Sequence, residues 1–298
     1  MRITNSMIAQ NQLLAMQTNL SALNLSQEQV SSGLKYQQAS DNPLAATQVM
    51  SVSDQLAALT QYQQNVSSAQ SKVTAEDTAL QQISDLLTNA QQLAESVDTA
   101  SGTAPTRATA QTQVEQLFKQ AVSIASQRFG DGYLFGGDQS TTVPFTATGT
   151  GATLDYTATA ASGSPAVGIG PGQILTPVHD GATVFEASGV LDSLKNLAVD
   201  LSTGADVSND ITAVNNAFNN VQTLVADVGA RGQRLDSASS NLDSLQTNLQ
   251  TFQANLQDVD VASATLDLSQ KQTAYQAALL ATSKVMGMSL VNYLPTTT

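Results

Sequence analysis

The sequence predicts a mainly α-helical protein in which both chain termini build a long antiparallel helical bundle or coiled coil, with a small inserted β-rich domain. Apolar residues recur at steps of three, four and seven between residues 13 and 124 and again between residues 191 and 290, which is the spacing of helix stripes. Residues 130–186 instead carry glycine, proline and threonine between short apolar alternations. Aromatic residues are only 4% of the 298-residue chain, so aliphatic stripes must supply most of the buried surface.

The two terminal segments carry apolar stripes with almost no charge around them. Residues 1–40 contain three charged residues, and residues 268–298 contain two. An exposed helix face is normally solvated by Lys and Glu, whereas here it consists of Asn, Gln, Ser and Thr. Such helices suit burial among copies of themselves, and we predict an assembly interface along both stripes. Its residues are Leu13, Met16, Leu20, Leu23, Val30 and Leu34 near the N-terminus, and Leu268, Tyr275, Leu279, Thr282, Met286 and Leu290 near the C-terminus.

A long helix is predicted after the N-terminal stripe. Asn42 is a typical N-cap and Pro43 suits the first helical position, so the helix should begin there and continue to about Val97. A turn at residues 101–105 precedes a returning helix that contains Val114 and Ile124.

The insert is predicted to contain short strands at residues 154–157 and 183–185, separated by glycine turns. A flexible linker is the alternative interpretation. Four large apolar residues, which linkers usually lack, favour a folded domain. They are Phe145, Tyr156, Ile174 and Phe185.

Helical spacing resumes at Leu191, and the apolar pattern from residue 210 to residue 257 predicts one helix about 70 Å long. A helix of that length needs a partner beside it. The helix at residues 42–97 is the best candidate, so the two halves of the chain should pair antiparallel or nearly so.

Charge and composition exclude several kinds of function. The net charge of −13 disfavours binding to nucleic acid or to anionic membranes. Cysteine is absent, which removes disulfides, thiolate metal sites and cysteine nucleophiles. No run of about 18 apolar residues occurs, so no membrane insertion is expected. The N-terminal residues lack the apolar core of a Sec-type signal peptide, so a protein that leaves the cell would do so uncleaved.

No catalytic, cofactor or metal site is predicted. His179 is the only histidine, and we expect it in an exposed loop rather than in a catalytic triad. The glycine-rich motifs at residues 130–132 and 136–138 lack the spacing of phosphate or calcium loops and are interpreted as turns. Asp258 and Asp260 are interpreted as helix-break and N-cap residues. For Arg231 and Arg234 a structural ion pair is the default interpretation.

Several sequence segments together resemble the bacterial flagellin superfamily, and within it the hook-filament junction proteins. They are MRITNSM at residues 1–7, VSSGL at 30–34 with ASDNPLAA at 39–46, FGDGYLFGG at 129–137, LSQKQTAYQA at 268–277 and LVNYL at 290–294. The resemblance covers both terminal regions and the start of the insert, about two thirds of the chain.

This resemblance implies an extracellular structural role in the bacterial flagellum rather than an enzymatic one. Residues 1–40 and 258–298 would form an inner-tube coiled coil, residues 41–129 and 187–257 an outer tube, and residues 130–186 an outward-facing domain. The implied partners are further copies in a ring, hook-associated protein 1, flagellin and a flagellar export chaperone. Subunits would pass unfolded through the flagellar type III export apparatus.

Two other functions remain open on the sequence. A short flagellin would build the filament itself and differ from a junction adapter in copy number. A secreted binding module would use the acidic insert to recognise a ligand, with the helices only presenting it.

Overall fold

A computed structural model describes residues 5–98, 103–159 and 163–291, with only the backbone described for residues 5, 6, 8, 9 and 285–291. Most of the described chain is helical. The long helices are α1 (Asn5–Ser32), α2 (Pro43–Asp98), α3 (Ala104–Ala125), α4 (Val190–Thr203), α5 (Ser208–Gln257) and α6 (Val261–Val291). The predicted turn at residues 101–105 falls partly on residues 101 and 102, which lie outside the described residues.

The chain divides into two compact units. The terminal unit combines the chain up to Ala57 with the chain from Gln246 onward, and the central unit is Ala58–Leu245. Helices α2 and α5 contribute residues to both units. The three-part division into inner tube, outer tube and insert stays a prediction.

Within the central unit, α2 and α5 lie side by side and run antiparallel. Three side-chain hydrogen bonds join them, and as the residue number rises on α2 it falls on α5. The bonds join Gln63 to Asp243 (2.8 Å), Gln70 to Asp236 (2.9 Å) and Ser84 to Gln222 (3.2 Å). The predicted antiparallel pairing is therefore confirmed, as is a single helix across residues 210–257.

Aliphatic side chains at every seventh position are buried on both helices, as the stripes predicted. Burying each Leu or Val side chain of this kind contributes about 1.5–3 kcal/mol, so the repeat contributes strongly to a core that has few aromatic rings. The buried series are Leu59, Val66, Val73, Leu80, Leu87 and Ala94 on α2, and Val214, Val221, Val228, Leu235 and Leu242 on α5.

Local capping signals fix where two helices begin. The side chain of Asn42 accepts a hydrogen bond from the backbone N–H of Ala45 (3.1 Å), and Pro43 is the first residue of α2. The carboxylate of Asp260 accepts from the backbone N–H groups of Ala262 (3.0 Å) and Ser263 (3.4 Å) at the start of α6. Both interpretations from the sequence are confirmed.

The described residues of the insert form three two-stranded antiparallel hairpins. They pair β1 (Arg128–Phe129) with β2 (Gly132–Tyr133), β3 (Phe145–Thr148) with β4 (Asp155–Ala158), and β5 (Val167–Gly170) with β6 (Gln173–Leu175). The glycine motif at residues 130–132 forms the first hairpin turn, and the motif at 136–138 leads into a 3₁₀ turn, so both are turns as expected.

One predicted strand of the insert is present and the other is wrong. The strand expected at residues 154–157 is β4, shifted by one residue. Residues 183–185 instead belong to a helical segment, Ala182–Ala187. The carboxylate of Asp180 accepts a hydrogen bond from the backbone N–H of Thr183 (2.7 Å) and starts this segment, so a local cap overrides the strand preference of Thr183 and Val184.

An aromatic cluster holds the insert together and agrees with a folded domain. The rings of Phe135 and Phe185 lie 5.0 Å apart, and those of Phe145 and Phe185 lie 5.6 Å apart. A Cβ atom on Gly181 would approach the Phe145 ring to 2.7 Å, so this close packing requires glycine. Ile174, also expected as an anchor, is 67% exposed, which corrects that expectation.

The insert is fastened to the two long helices by a polar cluster around the buried Glu76. Glu76 occupies an inward position of the α2 stripe and is fully buried. Its Oε1 atom accepts a hydrogen bond from the backbone N–H of His179 (3.1 Å) and lies 2.7 Å from His179 Nδ1. The other ring nitrogen lies 3.0 Å from a carboxylate oxygen of Asp227 and 2.8 Å from Arg231 on α5.

The expected exposed position of His179 is therefore wrong, because only 11% of its side chain is accessible to solvent. The expected ion pair of Arg231 is confirmed at 2.7 Å from Asp227, and Arg231 also donates to the backbone carbonyl of Thr176 (3.0 Å). Arg234 donates to the carbonyl of Ile174 (3.3 Å) instead.

Replacement His179→Ala should destabilise the central unit by about 3–5 kcal/mol, because it leaves the Glu76 carboxylate buried without its main partner. The free energy of unfolding in urea measures this loss. Lys119→Ala is the control, since it breaks an i,i+4 ion pair with Glu115 (2.7 Å) whose lysine is 38% exposed and should cost at most about 1 kcal/mol. Equal losses in the two variants would contradict the structural role of His179.

Candidate functional site

Helices α1 and α6 pack against each other within the terminal unit. Ser26 contacts the α6 residues Asp267 and Lys271, while Leu34, just after α1, pairs with Asp258, just before α6. Contacts that advance along α1 therefore move back along α6, and the two terminal helices run antiparallel. This is the pairing of chain termini that the fold class predicted.

A small polar cluster fixes how the two helices face each other. Ser26 is 1% exposed, and its hydroxyl donates to an Asp267 carboxylate oxygen (2.7 Å) and accepts from Lys271 Nζ (2.9 Å). Lys271 and Asp267 also form an ion pair at 2.6 Å. The hydrogen bonds from Lys271 and then Ser26 hold the pKa of Asp267 below its ordinary value. The charges of α6 that lie near α1 thus neutralise each other.

A backbone contact ties the end of α1 to the junction of α5 and α6. The Lys35 N–H donates to the Gln257 carbonyl (2.7 Å), and the Val259 N–H donates to the Gly33 carbonyl (2.8 Å). Gly33 has a φ of 74°, a left-handed conformation that ends α1 and suits glycine. The VSSGL segment therefore serves as a helix stop that makes this contact possible.

The structure separates the predicted interface residues into two groups. Leu13 (53%), Leu20 (39%) and Leu279 (41%) are exposed to solvent. The side chains of Met286 and Leu290 lie outside the described residues. The remaining seven are partly buried: Met16, Leu23, Val30, Leu34, Leu268, Tyr275 and Thr282. That any of them contacts another subunit stays a prediction.

Exposed large apolar side chains concentrate in the terminal unit. Among the described residues, only Val143, Ile174 and Leu245 are of this kind in the central unit. The terminal unit exposes Met7, Leu13, Leu14, Leu20, Leu25, Tyr36, Leu44, Met50, Phe252, Val261, Leu266, Leu279 and Leu280. Concentrated exposed apolar surface marks a site of protein interaction. We call these thirteen residues the terminal apolar surface.

Most of the terminal apolar surface was missed by the sequence analysis. Leu14, Leu25, Leu266 and Leu280 do not belong to the predicted stripes. Periodicity identified one stripe per helix, whereas each helix also carries apolar residues on other faces. The nearly uncharged composition of these helices was the signal that could have revealed them, because they carry few of the Lys and Glu residues of a solvated helix.

Neither a metal site nor a membrane-spanning helix is found in the part of the chain that the structure describes. No three His, Asp or Glu side chains there converge on a position for a metal ion. None of the helices there has both the length and the hydropathy needed to cross a bilayer.

Two family models match the chain. The model of the bacterial flagellin N-terminal helical region matches residues 3–140, and the model of the bacterial flagellin C-terminal helical region matches residues 211–294. Together they leave residues 141–210 unmatched, which contain most of the insert and helix α4.

Two relatives match over most of their length. Flagellar hook-associated protein 3 of Escherichia coli (strain K12) is 28% identical in a match of 286 residues that covers 88% of this chain and 90% of that protein. The protein of the same name from Salmonella typhimurium is 28% identical over 292 residues, with the same shares of both chains.

Solved structures show the same fold. A flagellar hook-associated protein from Vibrio parahaemolyticus aligns with a TM-score of 0.65 at 16% identity, over 73% of this chain and 100% of that one. Flagellar hook-associated protein-3 from Legionella pneumophila aligns with a TM-score of 0.62 at 12% identity, over 70% of this chain and 98% of that one.

The pairing of α1 with α6 can be tested with cysteines, since the chain has none of its own. The double variant Ser26→Cys/Asp267→Cys should form an intramolecular disulfide under mild oxidation, because Ser26 Oγ lies 2.7 Å from an Asp267 carboxylate oxygen and the two positions therefore face each other across the helix pair. Ser26→Cys/Ser283→Cys is the control, with its second cysteine about 24 Å further along α6. Electrophoresis without reductant measures the cross-link, and equal yields from the two variants would contradict the pairing.

Proposed function

Because the chain belongs to the bacterial flagellin family, we propose that it is a structural subunit of the hook-filament junction, joining hook-associated protein 1 on the hook side to the flagellin filament. The observation that carries this proposal is the terminal apolar surface, which lies in the unit where both chain termini pair. The relatives named hook-associated protein 3, which match across 88% of the chain, support the junction rather than the filament. Those relatives are structural proteins of the flagellum, and the chain is likewise structural and not an enzyme.

The terminal apolar surface gives the adapter its means of assembly. Each exposed leucine that a neighbouring subunit covers contributes up to about 1.5–3 kcal/mol, against the entropic cost of association. The same helices carry few charges, and an unpaired charge buried between subunits would be costly. A ring of copies, with hook-associated protein 1 below it and flagellin above it, would cover this surface on several sides.

The proposed route to that position is export without cleavage. The subunit would pass unfolded through the flagellar type III apparatus, guided by an export chaperone, and fold outside the cell at the growing tip. The chain contains no cysteine and so needs no disulfide bond to fold, which is compatible with such a route.

A short flagellin is the second candidate, and the match to both flagellin family models favours it as a member of the same structural class. Copy number separates the two functions, because an adapter occurs as about one ring and a flagellin as a long polymer. A secreted binding module would require the insert to act by itself, yet His179 of the insert pairs with the buried Glu76 of α2. Deleting residues 135–185 would therefore also damage the helices, and point variants are the better test.

Deletion of the gene in the source bacterium tests the junction function directly. We expect bare hooks in electron micrographs and flagellin in the culture medium, because filament growth would lack its starting layer. Filaments of normal length in the deletion strain would reject the adapter and favour a minor flagellin.

Single replacements on the terminal apolar surface test the assembly mechanism. Leu20→Asp and Leu279→Asp should each abolish filament formation when they are expressed in the deletion strain, since they place a charge where neighbouring subunits would bury a leucine. Ile174→Asp is the matched control, because Ile174 is 67% exposed but lies in the insert.

The two readouts are motility and the number of filaments per cell. An immunoblot of the medium separates failed assembly from failed export. Normal filaments with both leucine variants, or an equal loss with Ile174→Asp, would reject the terminal apolar surface as the assembly interface.

A further inference from the structure

The corner between α4 and α5 buries a carboxyl group, and one of its two oxygens has no hydrogen-bond donor. Asp210 lies in the first turn of α5 and is 6% exposed. Its Oδ2 atom is buried with no hydrogen-bond partner among the described groups. The Asp210 carboxyl is within hydrogen-bond reach of the carboxyl of Asp200, in the last turn of α4. Two carboxyl groups can form such a bond only when one of them carries a proton.

The other charged groups at this corner do not provide Asp210 with a cation that could take the place of the proton. Asp206, in the loop between the helices, adds a third carboxylate that faces Asp210. Arg107 of α3 supplies a cation, but its guanidinium donates to the backbone carbonyl of Ala205 (2.8 Å). Hydrogen bonds from Ser208, and to a smaller degree the Arg107 charge, hold the pKa of Asp206 below its ordinary value. Arg107 therefore favours the ionised form of Asp206, not of Asp210.

Burial, followed by the charges of Asp200 and Asp206, raises the pKa of Asp210 to about 6. The N-terminus of α5 would by itself favour the ionised carboxylate, since the helix dipole is positive there. Desolvation and two neighbouring acids outweigh it. The proton is thus bound at this corner in a pH range where carboxyl groups in water are ionised.

We propose that Asp200 and Asp210 form a proton-operated latch that fastens the end of α4 to the start of α5. With one proton shared, the two carboxyl groups join the helices across the loop at residues 204–207. When both groups are ionised, their repulsion and that of Asp206 loosen the corner. The latch rests on the burial of Asp210, on its unpartnered Oδ2 atom and on the neighbouring Asp200, and not on the function proposed above.

The direction of the pH effect follows from the two states of Asp210. Its folded pKa, about 6, lies above the ordinary value of 3.8 that applies to the unfolded chain. The folded corner therefore binds the proton more tightly than the unfolded chain does. The stabilisation is complete below about pH 4 and is lost as the pH rises through about 6.

Opening of the latch should be felt along α4. This helix packs against α3, and Leu201, one residue after Asp200, is 3% exposed. Helix α4 stops before Gly204, which has a left-handed φ of 79°. Its last turn is therefore not followed by another helical turn that could support it. We expect the loosening to be confined to residues near this corner, because the aliphatic stripe of α5 continues independently beyond it.

Amide hydrogen exchange of the full chain, followed by mass spectrometry at about pH 5 and about pH 8, tests the latch. After correction for the intrinsic pH dependence of exchange, protection of residues 198–214 should fall on the order of tenfold at the higher pH. Asp210→Asn keeps a hydrogen-bond donor that cannot titrate, so its protection should be the same at both values. Asp200→Asn should behave in the same way if the two residues act as a pair.

The control is Asp85→Asn, which changes an exposed carboxylate on α2 and should keep the pH-dependent fall. Unchanged protection of the natural chain between the two pH values would overturn the latch, as would a fall that persists in Asp210→Asn. Carboxyl carbon NMR of the natural chain gives an answer that needs no variant. Titration of both Asp200 and Asp210 below about pH 4.5 would also overturn it.

Discussion

The antiparallel pairing of the two halves of the chain is the constraint on which the rest of the structure depends. Helix α2 finds its partner in α5, and α1 finds its partner in α6, so each contact joins residues far apart in sequence. Because the chain has few aromatic residues, its core consists mainly of aliphatic stripes. One stripe is buried only when it packs against another. Neither half of the chain can bury its stripes by itself. Loop-closure entropy must be overcome before these contacts form. We therefore expect the contacts between the two halves to form late in folding.

The insert supplies the partner of a buried acidic side chain in the central unit. Glu76 stands where an aliphatic residue would continue the α2 stripe, and His179 from the insert supplies its partner. A carboxylate buried without such a partner would cost several kcal/mol. The insert is therefore part of the core of the central unit rather than an appendage, even though its hairpins are short and each has only two strands.

Local signals made the helices predictable, and tertiary contacts limited what could be predicted of the insert and the site. Asn42 and Asp260 mark helix starts because their effect depends only on neighbouring backbone groups. His179 was misplaced because its partners lie about 100 residues before and 50 residues after it, and no local pattern reports them. The strand expected at residues 183–185 failed because the Asp180 side chain caps a helical segment there. The periodicity that found Leu13 and Leu20 says which residues share a face, but not whether that face meets its own chain or another molecule.

The distribution of charge between the two units bears on where association can occur. The terminal unit contains four basic and six acidic residues, a net charge of −2, which leaves −11 of the total of −13 to the central unit. Copies of the chain brought side by side would repel one another through their central units, and salt would weaken that repulsion. In the proposed assembly, attraction between copies would come from the terminal unit, where apolar side chains are exposed and like charges are few. Compared with that repulsion, association driven by the burial of apolar area is insensitive to screening by salt. The proposed assembly through the paired termini agrees with this distribution, because the acidic central unit would discourage other contacts.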